Sequence, residues 1–101
     1  MDSDTLKFIT IFNFKDQNSE NIFLKYINGY NGICITRNFE GCISVDIYRV
    51  KKKKYKLIMI EKWNSLFNKK KYLKMREKEG LYKFLEQLVE TPLELNLLSK
   101  L

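Results

Sequence analysis

The sequence predicts an α+β domain of the ferredoxin-like class, in which a four-stranded antiparallel sheet carries two helices in the order β-α-β-β-α-β. Two observations support this prediction. Four segments have the composition or the two-residue alternation of strands, and the segments between them repeat their apolar residues at spacings of three and four. A chain of 101 residues has room for one hydrophobic core, so we expect a single domain over residues 1–101 with its core at about 6–98.

The first strand is predicted at Phe8–Lys15, a run of aromatic and β-branched residues. Alternation along this run puts three phenylalanines on one face and two isoleucines with Asn13 on the other. We expect the phenylalanine face to be buried by packing against a second copy of the chain.

The first helix is predicted at Glu20–Cys34, where the apolar residues continue in helical phase. Asn18 or Ser19 is expected to cap its start. Each glycine in its second half costs about 1 kcal/mol relative to alanine, so that half is expected to bend or fray. A hairpin at Asn28–Gly32 is the alternative.

The two central strands are predicted at Cys42–Val50 and Tyr55–Trp63. The first of them alternates apolar with polar residues, which is typical of a half-buried strand. Four adjacent lysines, Lys51–Lys54, lie between the two strands, and their mutual repulsion is tolerable only in water. We therefore expect them at a solvated hairpin tip.

The sequence of the last third of the chain predicts a helix, a break, a second helix and a final strand. Asn64 and Ser65 supply a cap for a lysine-rich helix at Leu66–Met75, and Gly80 interrupts the helical region. Apolar residues at helical spacing then run from 81 to 89, and Thr91-Pro92 ends that helix. Residues 93–98 alternate weakly as a final strand.

The composition excludes several kinds of catalytic site. The chain has no histidine, which removes Ser-His-Asp and Cys-His nucleophile systems. Its two cysteines, Cys34 and Cys42, form neither a disulfide framework nor a zinc site. We expect no metal and no cofactor. No segment approaches the ~20 apolar residues that span a bilayer, and Met1–Asp4 lacks the features of a signal peptide, so a cytoplasmic location is expected and a membrane partner is not.

The net charge of +7 is concentrated in the second half of the chain, where Lys51–Lys54 and Lys69–Lys71 form basic clusters. RNA-recognition domains share the β-α-β-β-α-β order, and a basic RNA-binding module is therefore an alternative. Such domains carry a glycine-aromatic pattern in the third strand, which this chain lacks. A biased lysine-, asparagine- and isoleucine-rich composition explains the charge without nucleic acid.

Two helices on one side of the sheet leave the other face uncovered. We expect aromatic and aliphatic residues there, and an apolar face of that size is unstable in water. A second copy of the chain, a ligand or nucleic acid could cover it. We predict a homodimer through this open sheet face.

Four motifs in order resemble those of the antibiotic biosynthesis monooxygenase domain. Ile58–Ser65 resembles its aliphatic run followed by Glu-x-Trp-x-Ser before a helix. Glu40–Ser44 with Tyr48-Arg49 resembles an earlier strand of that domain, and Leu81–Leu85 and Pro92–Leu95 resemble its last helix and last strand. The resemblance implies a dimeric α+β barrel with a pocket between sheet and helices. It also implies oxidation of a small aromatic or quinol-type substrate with O2 and without a cofactor.

The resemblance also implies site residues. Trp63, Asn13 and Tyr72 are the catalytic candidates, and Tyr72 stands where many members have a histidine. Trp63, Tyr48, Arg49 and Phe12 are the substrate-binding candidates. Trp63 is alternatively a strand-end anchor, and Glu61 is expected to bond across strands. The missing histidine leaves haem iron without its usual ligand, and it keeps open a non-catalytic ligand-binding dimer on the same scaffold.

Overall fold

The computed structural model describes residues 5–101 and confirms the ferredoxin-like sheet. All its strand pairs are antiparallel, and the spatial order is β2-β3-β1-β4. The strands are β1 Leu6–Asn13, β2 Cys42–Arg49, β3 Lys56–Trp63 and β4 Glu94–Leu98. The helices are α1 Gln17–Ile27, α2 Ile33–Asn38, α3 Leu66–Lys78 and α4 Leu81–Glu86. None of these helices is both long and apolar enough to cross a bilayer.

The prediction of one helix at Glu20–Cys34 was wrong, because the chain breaks into α1 and α2. Gly32 lies at the break, against the end of α1. A Cβ atom at this position would meet the carbonyl oxygen of Tyr26 at 2.3 Å and that of Ile27 at 2.5 Å. The chain can therefore turn this tightly only with glycine there.

The predicted cap of α1 was also wrong. Asp16, and not Asn18 or Ser19, is the N-cap, and its carboxylate accepts a hydrogen bond from the Ser19 backbone N–H at 2.8 Å. This backbone hydrogen bond holds the pKa of Asp16 below its usual value.

The second helical region follows the prediction more closely. Ser65 caps α3, accepting from the backbone N–H of Asn68 at 3.1 Å. Gly80, with a φ of +81°, separates α3 from α4. α3 continues one turn beyond its predicted end, whereas α4 ends at Glu86 instead of 89. The shortening follows from pairing, since Val89 forms a β-bridge with Phe14.

The phenylalanines in β1 and directly after it face the helices, so their predicted burial against a second copy was wrong. Phe12 and Phe14 pack on Phe23 of α1, with ring centroids 4.7 and 5.1 Å away. These rings form one core with buried aliphatic residues of β3 and the α4 region, namely Leu57, Leu85, Leu88 and Val89.

The open face is aliphatic at its centre and polar at its edges. Ile9 lies opposite Ile60, and Ile11 lies opposite Ile58. The same register places Tyr48 beside Ile58 on this face. The expectation of an aromatic and aliphatic face is therefore only half met, because the β1 aromatics lie on the other side.

Candidate functional site

A groove of about 720 Å³ lies on the helix side of the sheet, between α3 and β4. Its volume falls in the range of small-molecule sites. Leu95 and Leu97 of β4 are each 53% exposed, so one wall is open to solvent. Most of the groove lining is apolar or aromatic: Phe8, Leu66, Leu73, Tyr82, Leu95 and Leu97. We call this feature the α3–β4 groove.

A buried ion pair borders the α3–β4 groove. Nζ of Lys69, on α3, lies 3.0 Å from Oε1 of Glu61, on β3, and both side chains are 2% exposed. Nε1 of Trp63 donates to the same carboxylate oxygen at 3.0 Å. Lysine is almost never buried to this extent without a partner, because removing a charge from water costs several kcal/mol.

Aromatic rings enclose the same ammonium. Nζ of Lys69 lies 5.1 Å from the ring centroid of Phe8, 5.4 Å from that of Trp63 and 5.3 Å from that of Tyr72. Cation–π attraction to these rings offsets part of the cost of burial. The result is a cation held at one position beside an apolar groove.

Arg76 forms the centre of a second buried polar cluster, about two turns beyond Lys69 along α3. Its guanidinium donates to the hydroxyl of Tyr72 at 2.8 Å and to the hydroxyl of Thr36 at 3.1 Å. It also donates to the carbonyl oxygens of Gly32 at 2.8 Å and Asn31 at 3.0 Å. These bonds fasten the α1–α2 turn to α3, which is a structural role.

The hydroxyl of Tyr72 is fully used within this cluster, since it also shares a hydrogen bond with Thr36. Burial raises the pKa of the Tyr72 phenol above its ordinary value. Tyr72 is therefore protonated at neutral pH and is not available as a base.

The space between the sheet and the four helices that pack on it is nearly filled. A cavity of about 50 Å³ lies there, and both Phe12 and Tyr72 line it. Small-molecule sites are typically about 300–1,000 Å³, so this cavity is too small for an aromatic ligand.

The structure brings together two of the candidate site residues. The rings of Trp63 and Tyr72 lie 5.2 Å apart by centroid, and both lie against the Lys69 ammonium. Trp63 is 0% exposed and bonded to Glu61, so it reaches the groove only through that ion pair.

The remaining candidates lie elsewhere. Asn13 is at the opposite end of β1, where its side-chain amide donates to Thr91 at 3.2 Å. Tyr48 is 53% exposed on the open face, and Arg49 pairs with Glu20 at 2.8 Å. None of them borders the α3–β4 groove, and neither does Phe12.

The role of Lys69 was missed because it belongs to a run of three lysines that resembled a solvated cluster. The sequence did contain an indication that Lys69 lies on the same side of α3 as Tyr72 and Arg76. The three residues are separated by three and four positions, which places them on one face of a helix. The side chain of Glu61 bonds to Trp63 on its own strand and to Lys69 on a helix, and within residues 5–101 its carboxylate makes no hydrogen bond to another strand.

The sequence matches no protein-family model and no curated protein. The fold matches solved structures over nearly the whole chain. One is described as an antibiotic biosynthesis monooxygenase, with a TM-score of 0.80, 17% identity, and 95% of this chain and 98% of that chain covered. SnoaB, a cofactor-independent oxygenase from Streptomyces nogalater, gives a TM-score of 0.75, 15% identity, and coverages of 97% and 94%. A dimeric ferredoxin-like protein from an uncultured marine organism gives a TM-score of 0.75, 18% identity, and coverages of 98% and 91%.

These likenesses define the class of protein: the chain is a ferredoxin-like α+β protein. Within that class it has the fold of the antibiotic biosynthesis monooxygenases, as its motifs suggested. Identities of 15–18% establish the fold and leave the activity to be argued from the site.

Proposed function

We propose that this protein is a cofactor-independent monooxygenase that oxidises a small aromatic or quinol-type substrate with O2 in the α3–β4 groove. The observation that carries the proposal is the groove itself: about 720 Å³ of mainly apolar space beside the buried Lys69–Glu61 pair. The fold adds support, since two structural neighbours are described as a monooxygenase and as a cofactor-independent oxygenase.

The reaction needs few protein groups, because an electron-rich substrate can itself reduce O2. In the overall balance, an activated ring CH2 and O2 become a ring carbonyl and water, and the substrate supplies all four electrons. The protein contributes the shape of the groove and a fixed charge beside it. In the groove, Phe8, Leu95 and Leu97 supply the apolar surface and Lys69 supplies the charge.

Trp63 and Tyr72 enter this proposal as positioning residues. Both rings lie against the Lys69 ammonium, and Trp63 also donates to its partner Glu61. Trp63→Phe removes that donor and keeps a ring in place. We expect reduced turnover with retained folding, whereas unfolding would identify Trp63 as a strand-end anchor only.

The direct test measures O2 consumption with a panel of hydroquinones and hydroxylated polycyclic aromatics, in the presence of a metal chelator. We expect one oxygen atom from labelled O2 in the product. Leu97→Trp fills the groove and should raise KM, whereas Phe67→Trp is a matched control on α3 outside the groove lining. Ligand binding without O2 consumption would refute the oxygenase and support a non-catalytic ligand-binding dimer.

We also propose a homodimer through the open face of the sheet. The four isoleucines at its centre form a contiguous aliphatic patch, and one structural neighbour is described as dimeric. Light scattering should give twice the chain mass for the unaltered protein. Ile58→Asp should give monomers, and Ile22→Asp, on exposed α1 surface, should not. A monomeric unaltered protein at micromolar concentration would contradict the dimer.

A further inference from the structure

The α3 side of the α3–β4 groove carries two exposed lysines. Lys70 and Lys74 both line the groove and are exposed to solvent, whereas Lys69 is buried and bonded to Glu61. Lys70 and Lys74 are four positions apart on α3, and side chains at that spacing are neighbours on one helix face. Two ammonium groups are therefore accessible to a ligand at the edge of the groove.

These two lysines are not neutralised by the part of the chain that the structure describes. Neither Lys70 nor Lys74 forms an ion pair among residues 5–101. One carboxylate, that of Glu77, also lines the groove, and it pairs with neither of them. Like charges four positions apart on a helix repel each other, and an anion beside both of them relieves that repulsion. The charge at this edge is therefore complementary to an anionic ligand.

The rest of the groove lining suits an aromatic ligand. Phe8 and Tyr82 supply two aromatic side chains, and the other apolar lining residues are leucines. Aromatic rings pack favourably on one another in offset or edge-to-face arrangements. Apolar walls also lower the local dielectric constant, so an ion contact beside them is stronger than one in bulk water.

We propose that the α3–β4 groove binds an aromatic carboxylic acid, with its ring on the apolar lining and its carboxylate between Lys70 and Lys74. The inference rests on the proposed function and names its substrate class. A carboxylic acid is ionised at neutral pH, so the ligand carries its charge without any proton transfer in the groove. Lys70 and Lys74 thus determine specificity by selecting acidic over neutral aromatic compounds.

The test compares 2-naphthoate with its neutral amide, 2-naphthamide, by calorimetry at low ionic strength. The two ligands share a ring system and differ in the charge of one group. The unaltered protein should bind 2-naphthoate at least about fivefold more tightly, a ratio that one exposed ion contact can supply. Salt at 1 M shortens the screening length to about 3 Å and should reduce the ratio to below about twofold. Equal affinity at low ionic strength would overturn the proposal without any variant being made.

Lys70→Gln with Lys74→Gln removes both charges at exposed positions. This variant should lose the preference for 2-naphthoate and keep its affinity for 2-naphthamide within about twofold. The matched control is Lys71→Gln with Lys78→Gln, which removes two exposed lysines of α3 outside the groove lining and should keep the preference. Equal loss in the two variants would assign the effect to net charge and overturn the role of Lys70 and Lys74.

Two further variants change the affinity in other ways. Glu77→Gln removes the one carboxylate among the lining residues and should tighten 2-naphthoate binding about twofold, with 2-naphthamide unchanged. Leu97→Trp, which fills the groove, should weaken the binding of both ligands. Unchanged affinities in Leu97→Trp protein would place the ligands elsewhere and overturn the proposal. Decanoate carries the same carboxylate on an aliphatic chain, and tighter binding of decanoate than of 2-naphthoate would overturn the aromatic class.

The two proposals fail separately, because binding of 2-naphthoate is measured without any oxidation. Preferential binding without O2 consumption by any compound of the panel would refute the oxygenase and support the anionic ligand class. O2 consumption with equal affinity for the two naphthalene ligands would do the reverse.

Discussion

Lys69→Met tests the buried ion pair on which the site depends. The substitution preserves most of the side-chain volume and removes the ammonium 3.0 Å from Glu61. Glu61, 2% exposed, would then be a buried carboxylate whose one remaining side-chain donor among residues 5–101 is the Trp63 indole. Breaking a buried pair from one side typically costs about 3–5 kcal/mol, and we expect a loss of unfolding free energy in that range.

The double variant Lys69→Met, Glu61→Gln should recover most of this loss. It leaves no charge at the buried Lys69–Glu61 position, and replacement of a buried pair by neutral groups is often close to neutral in stability, so we expect a net cost below about 1.5 kcal/mol. Urea denaturation at fixed protein concentration would measure both variants. The fluorescence of Trp63, the single tryptophan and 0% exposed, reports the transition.

Two results would refute this reasoning. A Lys69→Met protein within about 1 kcal/mol of the unaltered chain would mean that the pair is hydrated in solution. A double variant as unstable as the single one would mean that the Lys69 stem matters through packing, and that its charge does not.

Three further predictions concern other parts of the chain. Arg76→Met removes donors to three hydroxyls, two carbonyls and the Glu79 carboxylate, and should cost about 3 kcal/mol or more; an unchanged urea midpoint would contradict this. Gly80→Ala should cost about 1–2 kcal/mol for its positive φ alone. Gly41→Ala should cost clearly more, because its Cβ would also meet two asparagine side chains at 2.6 Å, and equal losses would argue against that clash. Burial raises the pKa of Cys42 to about 11, so about one thiol in a thousand is ionised at pH 8. Cys34→Ser protein should therefore react slowly with a thiol reagent, about tenfold faster per pH unit, and fast reaction at pH 8 would contradict it.

The strands could be predicted from the sequence because their signals are local. Alternation in β2, the aliphatic run of β3 and the lysines at 51–54 each act over a few residues. The break after α1 could not be predicted in the same way. Its cause is the approach of Gly32 to carbonyl oxygens at the end of α1, a distance that no hydrophobic pattern encodes.

The candidate site was predicted only in part for a similar reason. Trp63 and Tyr72 were identified by motif and do meet in space. Lys69 is buried in contact with a carboxylate on β3 and with rings on three elements. A lysine run on a helix is usually solvated, so the sequence alone did not indicate this burial. Burial of a charge depends on what surrounds it, and those surroundings are assembled by the fold.

The bonds from Arg76 to the α1–α2 turn have a consequence for how the chain folds. They join carbonyls at 31 and 32 to a guanidinium more than 40 positions away, so the turn receives its partners only when α3 docks on the sheet. Contacts between such distant segments pay a large loop-closure entropy and form slowly. We therefore expect this turn to become ordered late, after the β2–β3 hairpin, whose two strands are separated by a short connection.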